Sequence, residues 1–194
     1  MFKQFDMSTI KSNSAIVIIG QARTLINDIV AQMSLPSVTI PYNKNAVKLF
    51  FNGQRGKFKD RKRNGEYDLD KCFQHRIDNR IIAVVENYEY DENIKFMCLN
   101  SRHISTTLIL TNAQVIPLPP RARCNIDVIF IFREDNMEKR KTMYDNYAGV
   151  FPTFELFCTF MDNLTNDFEC MVIDCTTHRS ELEDKVYWYK CVLN

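Results

Sequence analysis

The sequence predicts an α/β domain in three layers, with helices on both faces of a mainly parallel central sheet. Two observations carry this. Apolar runs without polar alternation stand at Ala15 to Ile19, Ile81 to Val85, Thr106 to Thr111 and Val128 to Phe132, as expected of strands buried on both faces. Segments with helical spacing separate them, such as Leu25, Ile29 and Met33 on one stripe. The 194 residues suffice for one domain with a real core, so residues 1–194 are read as a single unit.

In chain order, Ala15 to Ile19 is the first strand, ended by Gly20. Thr24 to Met33 is a helix stopped by Pro36, Val38 to Ile40 a short strand, and Asn45 to Phe51 a short helix or strand. Asn52 to Gly65 reads as an exposed basic loop, because Gly53, Gly56 and Gly65 interrupt regular structure. Leu69 to Ile77 and Glu92 to Asn100 suit helices on either side of the Ile81 strand. Pro117, Pro119 and Pro120 confine Val115 to Arg123 to a loop or a helix start. Met137 to Tyr147 and Pro152 to Asn163 are amphipathic helices, and Cys170 to Asp174 and Val186 to Tyr189 are the last strands. No internal repeat is present.

Net charge is +1 and charged residues make up 25%, which excludes a protein coated in positive charge for nucleic acid but leaves room for a local basic patch. No stretch approaches the about 20 apolar residues of a membrane span. Met1 to Lys11 has no apolar signal core, so an intracellular protein is expected. The seven Cys are scattered without a Cys-x-x-Cys pair and read as reduced core residues. With His75, His103 and His178 out of register with one another and with those Cys, no metal site is expected.

In parallel sheets, ligands bind at the C-terminal ends of the strands. That rule selects Gly20, then Glu86 and Asn87, then Thr111 to Gln114. A strand, a glycine and a helix beginning at Thr24 form the frame of a phosphate-binding loop. The working loop has the form Gly-x-x-x-x-Gly-Lys-Ser/Thr: amides ring the phosphates, Lys neutralises them and the hydroxyl holds magnesium. Gly20-Gln-Ala-Arg-Thr24 has one Gly, no Lys and about four residues fewer than that pattern. The second strand end should carry an acid that organises magnesium and a second that activates water. Glu86 can do the first, but the amide of Asn87 cannot accept a proton from water at neutral pH.

The second half of the chain carries a more specific signal. The stretches Arg102-His103, Leu118-Pro-Pro-Arg-Ala-Arg-Cys-Asn-Ile-Asp127, Phe132-Arg-Glu-Asp-Asn136, Tyr144-Asp-Asn-Tyr-Ala-Gly-Val-Phe-Pro-Thr-Phe154 and Val186-Tyr-Trp-Tyr-Lys190 occur in that order. In them the chain resembles the genome-packaging ATPases of large DNA viruses, the poxvirus, iridovirus and mimivirus type within the FtsK/HerA-like P-loop group. The likeness runs from about Ile81 to the end. Before Arg80 it rests on Phe5-Asp6, the first strand and the helix from Thr24.

This resemblance implies a RecA-like P-loop NTPase-type fold and, as the family's cofactors, ATP and magnesium. It places the magnesium-organising acid on Glu86, the catalytic base on Asn87 and the sensor Gln on Ala113, with Gln114 one position late. Gly20, Arg23 and Thr24 stand as a degenerate phosphate loop, and Arg123 as the arginine that faces a phosphate or a neighbouring subunit. The scaffold matches and each catalytic position is altered, the pattern of a copy that kept its fold and lost its chemistry. On that reading no cofactor is expected to bind. The implied partners are double-stranded DNA and an oligomer, of this chain or with an active paralogue. The implied location is the host cytoplasm or the virion.

Each site residue also has a plain structural reading. Gly20 to Thr24 can be an ordinary strand-to-helix turn, Glu86 a strand cap, and Arg102-His103 a solvated turn. Arg123, Asn125 and Asp127 can form a structural turn, and the aromatic residues from Tyr144 to Phe157 fit core packing. Arg55, Lys57, Lys59, Arg61, Lys62 and Arg63, opposed by Asp60 alone, can track a phosphate backbone or be a solvated surface. Only Phe58 interleaves with them, so base stacking is not indicated. Two other functions stay open: a working ATP-driven DNA translocase with an atypical loop, and a non-enzymatic nucleic-acid-binding module.

Overall fold

The computed structural model describes residues 2–20, 22–63 and 80–191, with the backbone alone over 55–63. Its strands are β1 (Ala15–Ile19), β2 (Ser37–Pro41), β3 (Ile81–Glu86), β4 (Thr106–Asn112), β5 (Val128–Ile131), β6 (Glu169–Asp174) and β7 (Val186–Lys190). The helices are α1 (Arg23–Met33), α2 (Lys44–Arg63), α3 (Glu92–Asn100), α4 (Pro120–Arg123), α5 (Met137–Tyr147) and α6 (Phe154–Leu164). The strands form one sheet in the order β2-β3-β4-β1-β5-β6-β7. The first five run parallel, and β6 runs antiparallel to both its neighbours, β5 and β7.

The apolar runs sit where their composition requires. All five residues of β1 and all four of β5 are buried, because helices cover both faces of the sheet. Alternate side chains serve opposite faces. Val17, Ile19, Leu108, Leu110, Ile129 and Ile131 pack with residues of α2, α3, α5 and α6. Ile16, Ile18, Ile82, Ile109 and Phe130 pack with Leu25, Ile26 and Ile29 of α1 and with Phe5, Met7 and Ile10 of the N-terminal segment. The order of layers is therefore helix, sheet, helix.

Capping follows side-chain chemistry. Asp91 accepts from the amides of Asn93 and Ile94 to start α3, Asn136 from those of Glu138 and Lys139 to start α5, and Thr153 from that of Leu156 to start α6. Burial works against the Asp91 carboxylate, yet these amides and the Tyr42 hydroxyl hold its pKa below the usual value. Helix α1 ends on Ser34 in the left-handed region, ahead of Pro36 as expected.

The basic segment departs from expectation. Residues 52–63, expected as a loop, continue α2 for twenty residues from Lys44. Val47, Phe51 and Gln54 recur at helical spacing and are buried, and Lys, Arg and Gln are good helix formers. Gly53 and Gly56 weaken such a helix by about 1 kcal/mol each without stopping it. Leu69 to Ile77, expected as a helix, lies outside the described residues. No helix among the described residues is long and apolar enough to cross a membrane.

Between α5 and α6, the buried Arg140 donates to the Glu134 carbonyl and, at 2.6 Å, to Asp162. The Arg140 hydrogen bond lowers the Asp162 pKa below its ordinary 3.8. A carboxyl lowered on folding stabilises above its unfolded pKa and loses that contribution as pH falls through its folded one. Asp162 is half exposed, so the pair is discounted for solvent screening. Arg140→Met should destabilise by about 1–2 kcal/mol at neutral pH. Urea melts between pH 7 and pH 3 should show its gap to wild type narrowing once Asp162 is protonated.

Candidate functional site

Parallel strands bring their C-terminal ends to one edge, and the strand-end residues meet there. Gly20 after β1, Glu86 and Asn87 after β3, and Thr111 and Asn112 of β4 line a cleft of ≈ 320 Å³. Arg23 closes it from the first turn of α1, and Ala22, Ile26 and Ala113 supply apolar wall. The strand-end rule selects this place from the sequence, and the structure brings Gly20, Arg23, Glu86 and Asn87 together in it.

The backbone fixes the turns around the cleft. Gly20 has φ of +125°, a region that side-chain-bearing residues rarely adopt. A Cβ there would stand 2.6 Å from Cβ of Phe132, the residue that follows β5. The Gly20 amide donates to the Asn112 carbonyl at 2.9 Å, and the Phe132 amide to that of Ile19 at 2.9 Å. Asn87, at φ +53°, donates its amide to the Thr111 carbonyl at 2.9 Å. Asn112 joins two loops: its Nδ2 donates to the Tyr88 carbonyl at 3.0 Å, and its Oδ1 accepts from the Gln114 amide at 3.0 Å.

A tyrosine pair anchors the loop after β3. Burial raises the pKa of both, Tyr147 to about 12 and Tyr88 further. Tyr88 neighbours Tyr147, whose hydroxyl donates to the Ile116 carbonyl. Phe132 and this pair carry no sequence signal of belonging to the site, and Asn112, which the strand-end rule selects, carries none of its bond to Tyr88, because these contacts join distant segments.

Chemically, the cleft offers one carboxylate, one guanidinium and the amino end of α1. That end has no side-chain cap and no acid in its first turn, so its dipole favours an anion. Among the described residues the Gly20 amide bonds the Asn112 carbonyl, no Lys lines the cleft, and Asn87 follows Glu86 at the end of β3. The described residues hold no cluster of three His, Cys, Asp or Glu able to bind a metal ion.

Other expected site residues lie apart. Thr24 is half-buried in α1, and Gln114 is exposed beyond Ala113. Arg123 lies at the opposite edge of the sheet, before the start of β5. Its guanidinium donates to the carbonyls of Asp145 and Asn146 at the end of α5, so it caps that helix and is not among the residues that line the cleft. Asn125 Nδ2 donates to the Arg121 carbonyl at 3.0 Å, the backbone-bonding turn that its neighbours suggested. Arg55, Lys57, Lys59, Arg61, Lys62 and Arg63 share the second half of α2, and none of that helix's described side chains lines the cleft.

No family model matches the chain. It is 41% identical over 91 residues to an uncharacterized protein of Invertebrate iridescent virus 3, a match that covers 47% of this chain and 35% of the relative. An uncharacterized protein of Acanthamoeba polyphaga mimivirus is 34% identical over 105 residues, 54% of this chain and 37% of its own. These matches span little more than a third of each relative's length.

Among solved structures, B204, the DNA-packaging ATPase from Sulfolobus Turreted Icosahedral Virus, superposes with a TM-score of 0.59 at 13% identity, covering 95% of this chain and 100% of B204. The cytoplasmic domain of the Thermomonospora curvata Type VII secretion ATPase EccC gives 0.61 at 8% identity, covering 93% of this chain and 25% of that one. At such identities the likeness is one of fold. The chain has the RecA-like P-loop ATPase fold, and its sequence relatives are proteins of large DNA viruses.

Proposed function

We propose that the chain is a catalytically impaired homologue of a viral genome-packaging ATPase that acts through DNA or partner contacts. The observation that carries this reading is that three residues separate β1 from α1 and the Gly20 amide among them is bonded to the Asn112 carbonyl. A charge-assisted hydrogen bond contributes roughly 1.5–3 kcal/mol. Without a Lys and two or three cradle amides, a phosphate site is weaker by on the order of 5 kcal/mol, about three to four decades of affinity. Arg23 replaces part of that charge but none of the cradle.

Calorimetric titration with ATP and magnesium should give no saturable heat at micromolar protein. Phosphate release should not exceed that of Glu86→Ala. Steady, saturable release abolished by Glu86→Ala would instead support an active translocase with an atypical loop. That second reading draws on the B204 NTPase of Sulfolobus turreted icosahedral virus 2, a fold neighbour whose structure is a complex with ATP-gammaS.

The DNA part of the proposal rests on α2. Lys44, Lys48, Arg55, Lys59 and Lys62 all fall within its twenty residues. Lys57, Arg61 and Arg63 add charge elsewhere on the same helix. A rigid cationic helix can contact successive phosphates without reading sequence.

We expect weak, sequence-independent binding to double-stranded DNA that falls steeply with salt. Changing Lys57, Lys59, Arg61, Lys62 and Arg63 to Gln preserves helix propensity better than Ser. It should lower the salt slope by roughly 0.9 for each phosphate no longer neutralised. Gel shifts at several salt concentrations test this, and equal binding by both proteins would leave α2 as a solvated helix. The proposed setting is the host cytoplasm or the virion, with this chain or an active paralogue as its oligomeric partner.

A further inference from the structure

Two cysteines meet at the antiparallel edge of the sheet. Cys170 stands in β6 opposite Tyr189 of β7, and Cys191 follows directly after Lys190, the last residue of β7. Alternation puts Cys170, Tyr189 and Cys191 on one face, where they pack in a core cluster with Leu25, Ile26 and Ile29 of α1. Cys170 is fully buried and Cys191 is 6% exposed. Both are free thiols, and their side chains neighbour one another.

Inside a regular antiparallel ladder, residues on a diagonal stand about 7 Å apart, too far for a disulfide. Here the ladder stops at the Glu169–Lys190 pair. Beyond it Phe168 turns into the left-handed region at φ +65°, and the Cys191 amide reaches the Phe168 carbonyl over a long 3.4 Å. Cys191 is therefore not held to the ladder spacing, and a small backbone shift brings its sulfur within bonding reach of Cys170. Opening that one long bond also exposes Cys191 without opening the sheet.

We infer that Cys170 and Cys191 form an oxidisable dithiol, which closes to an intrachain disulfide on reaction with a small disulfide such as oxidised glutathione. Cys191 is the attacking residue. The Cys170 side chain beside it holds its thiol below the ordinary range, whereas burial pushes the Cys170 thiol well up. The Cys191 thiolate attacks one sulfur of the reagent, forms a mixed disulfide and expels a thiolate, which takes up the proton that Cys191 lost. Cys170 then gives up its proton and attacks the Cys191 sulfur. The mixed disulfide breaks, and the second expelled thiolate takes up that proton. Two protein thiols are oxidised and one reagent disulfide is reduced to two thiols. The new bond ties β6 to β7 beyond their last ladder pair and constrains the unfolded chain, so oxidation stabilises the fold. This inference is independent of the nucleotide cleft and of α2.

The test treats the folded wild-type chain with excess oxidised glutathione, alkylates the remaining thiols in denaturant and maps the unreduced protein by mass spectrometry. Cleavage after Lys, Arg, Asp and Glu puts Cys158, Cys170, Cys175 and Cys191 in separate peptides. The exposed Cys124 and Cys175 compete for the reagent and are read as glutathione adducts. The pair joined through Cys170 and Cys191 should be about ten times as abundant as any other linked pair. The urea midpoint of the oxidised protein should rise and return on reduction with dithiothreitol. Cys191→Ala should abolish both the linked pair and the reversible rise. Each protein is compared with its own reduced form, so lost packing cancels, and the wild-type readouts stand even if the variant fails to fold. Glutathione adducts at Cys124 and Cys175 without the linked pair overturn the dithiol. A linked pair that lowers the midpoint overturns its closure within the native fold.

Discussion

Gly20→Ala should destabilise the protein by about 3–5 kcal/mol and lower its melting midpoint by roughly 10 °C. Two independent penalties add at this residue. Its φ of +125° is open to glycine and strained for alanine. The new Cβ would also meet Phe132 Cβ at 2.6 Å, with two ring atoms at 3.1 Å. The nearest neighbour is a Cβ, so Phe132→Ala removes the ring contacts and leaves the closest one in place. The double variant should therefore recover little of the stability. Urea melts of both variants check this, and a Gly20→Ala cost below about 1 kcal/mol would show that the turn relaxes freely. The result bears on the proposed function, because the glycine that opens a phosphate loop in this fold serves here to let β1 and the end of β5 approach.

The central strands and the cleft are legible in the sequence for one physical reason. A parallel sheet covered on both faces makes continuous apolar runs, and its connections bring the strand ends to one edge. Gly20, Glu86 and Thr111 can be placed together without coordinates. Strand order is not legible, since Ile81 to Val85 and Thr106 to Thr111 look alike whichever neighbours they take. Nor is the reversed course of β6, which runs antiparallel to both β5 and β7 and whose composition matches that of a parallel strand. The basic segment reads as a loop only when its glycines are weighted above the spacing of Val47, Phe51 and Gln54, and that spacing decides the structure. Arg123 cannot be placed from the chain alone, because its partners at Asp145 and Asn146 stand 22 and 23 residues away. The strand-end rule places Asn112 at the cleft, but its bond to Tyr88, which spans 24 residues, is not legible.

Asp127→Ala should cost about 2–4 kcal/mol while leaving the cleft unchanged. Asp127 organises the edge of the sheet opposite Gly20. Its Oδ2 accepts the Ala15 amide at 2.7 Å and its Oδ1 accepts from Arg102 at 2.6 Å. Its own amide donates to the Ala15 carbonyl at 2.8 Å, and its carbonyl accepts from Cys175 at 2.8 Å. One residue thus joins the starts of β1 and β5 to the end of β6. Its side chain is 16% exposed and that of Arg102 is 49% exposed, so the ion pair is partly screened and contributes at most about 1 kcal/mol. The larger share comes from the Ala15 amide, which alanine at position 127 would leave without its side-chain acceptor. Asp127→Asn keeps an oxygen for that amide and should cost about 1–2 kcal/mol, with Arg102→Ala at or below about 1 kcal/mol. Urea melts should rank the three variants in that order. If Arg102→Ala is as damaging as Asp127→Ala, the ion pair rather than the amide holds this edge. Binding of double-stranded DNA by the folded Asp127→Asn protein should match wild type, because Asp127 is neither part of α2 nor among the residues that line the cleft.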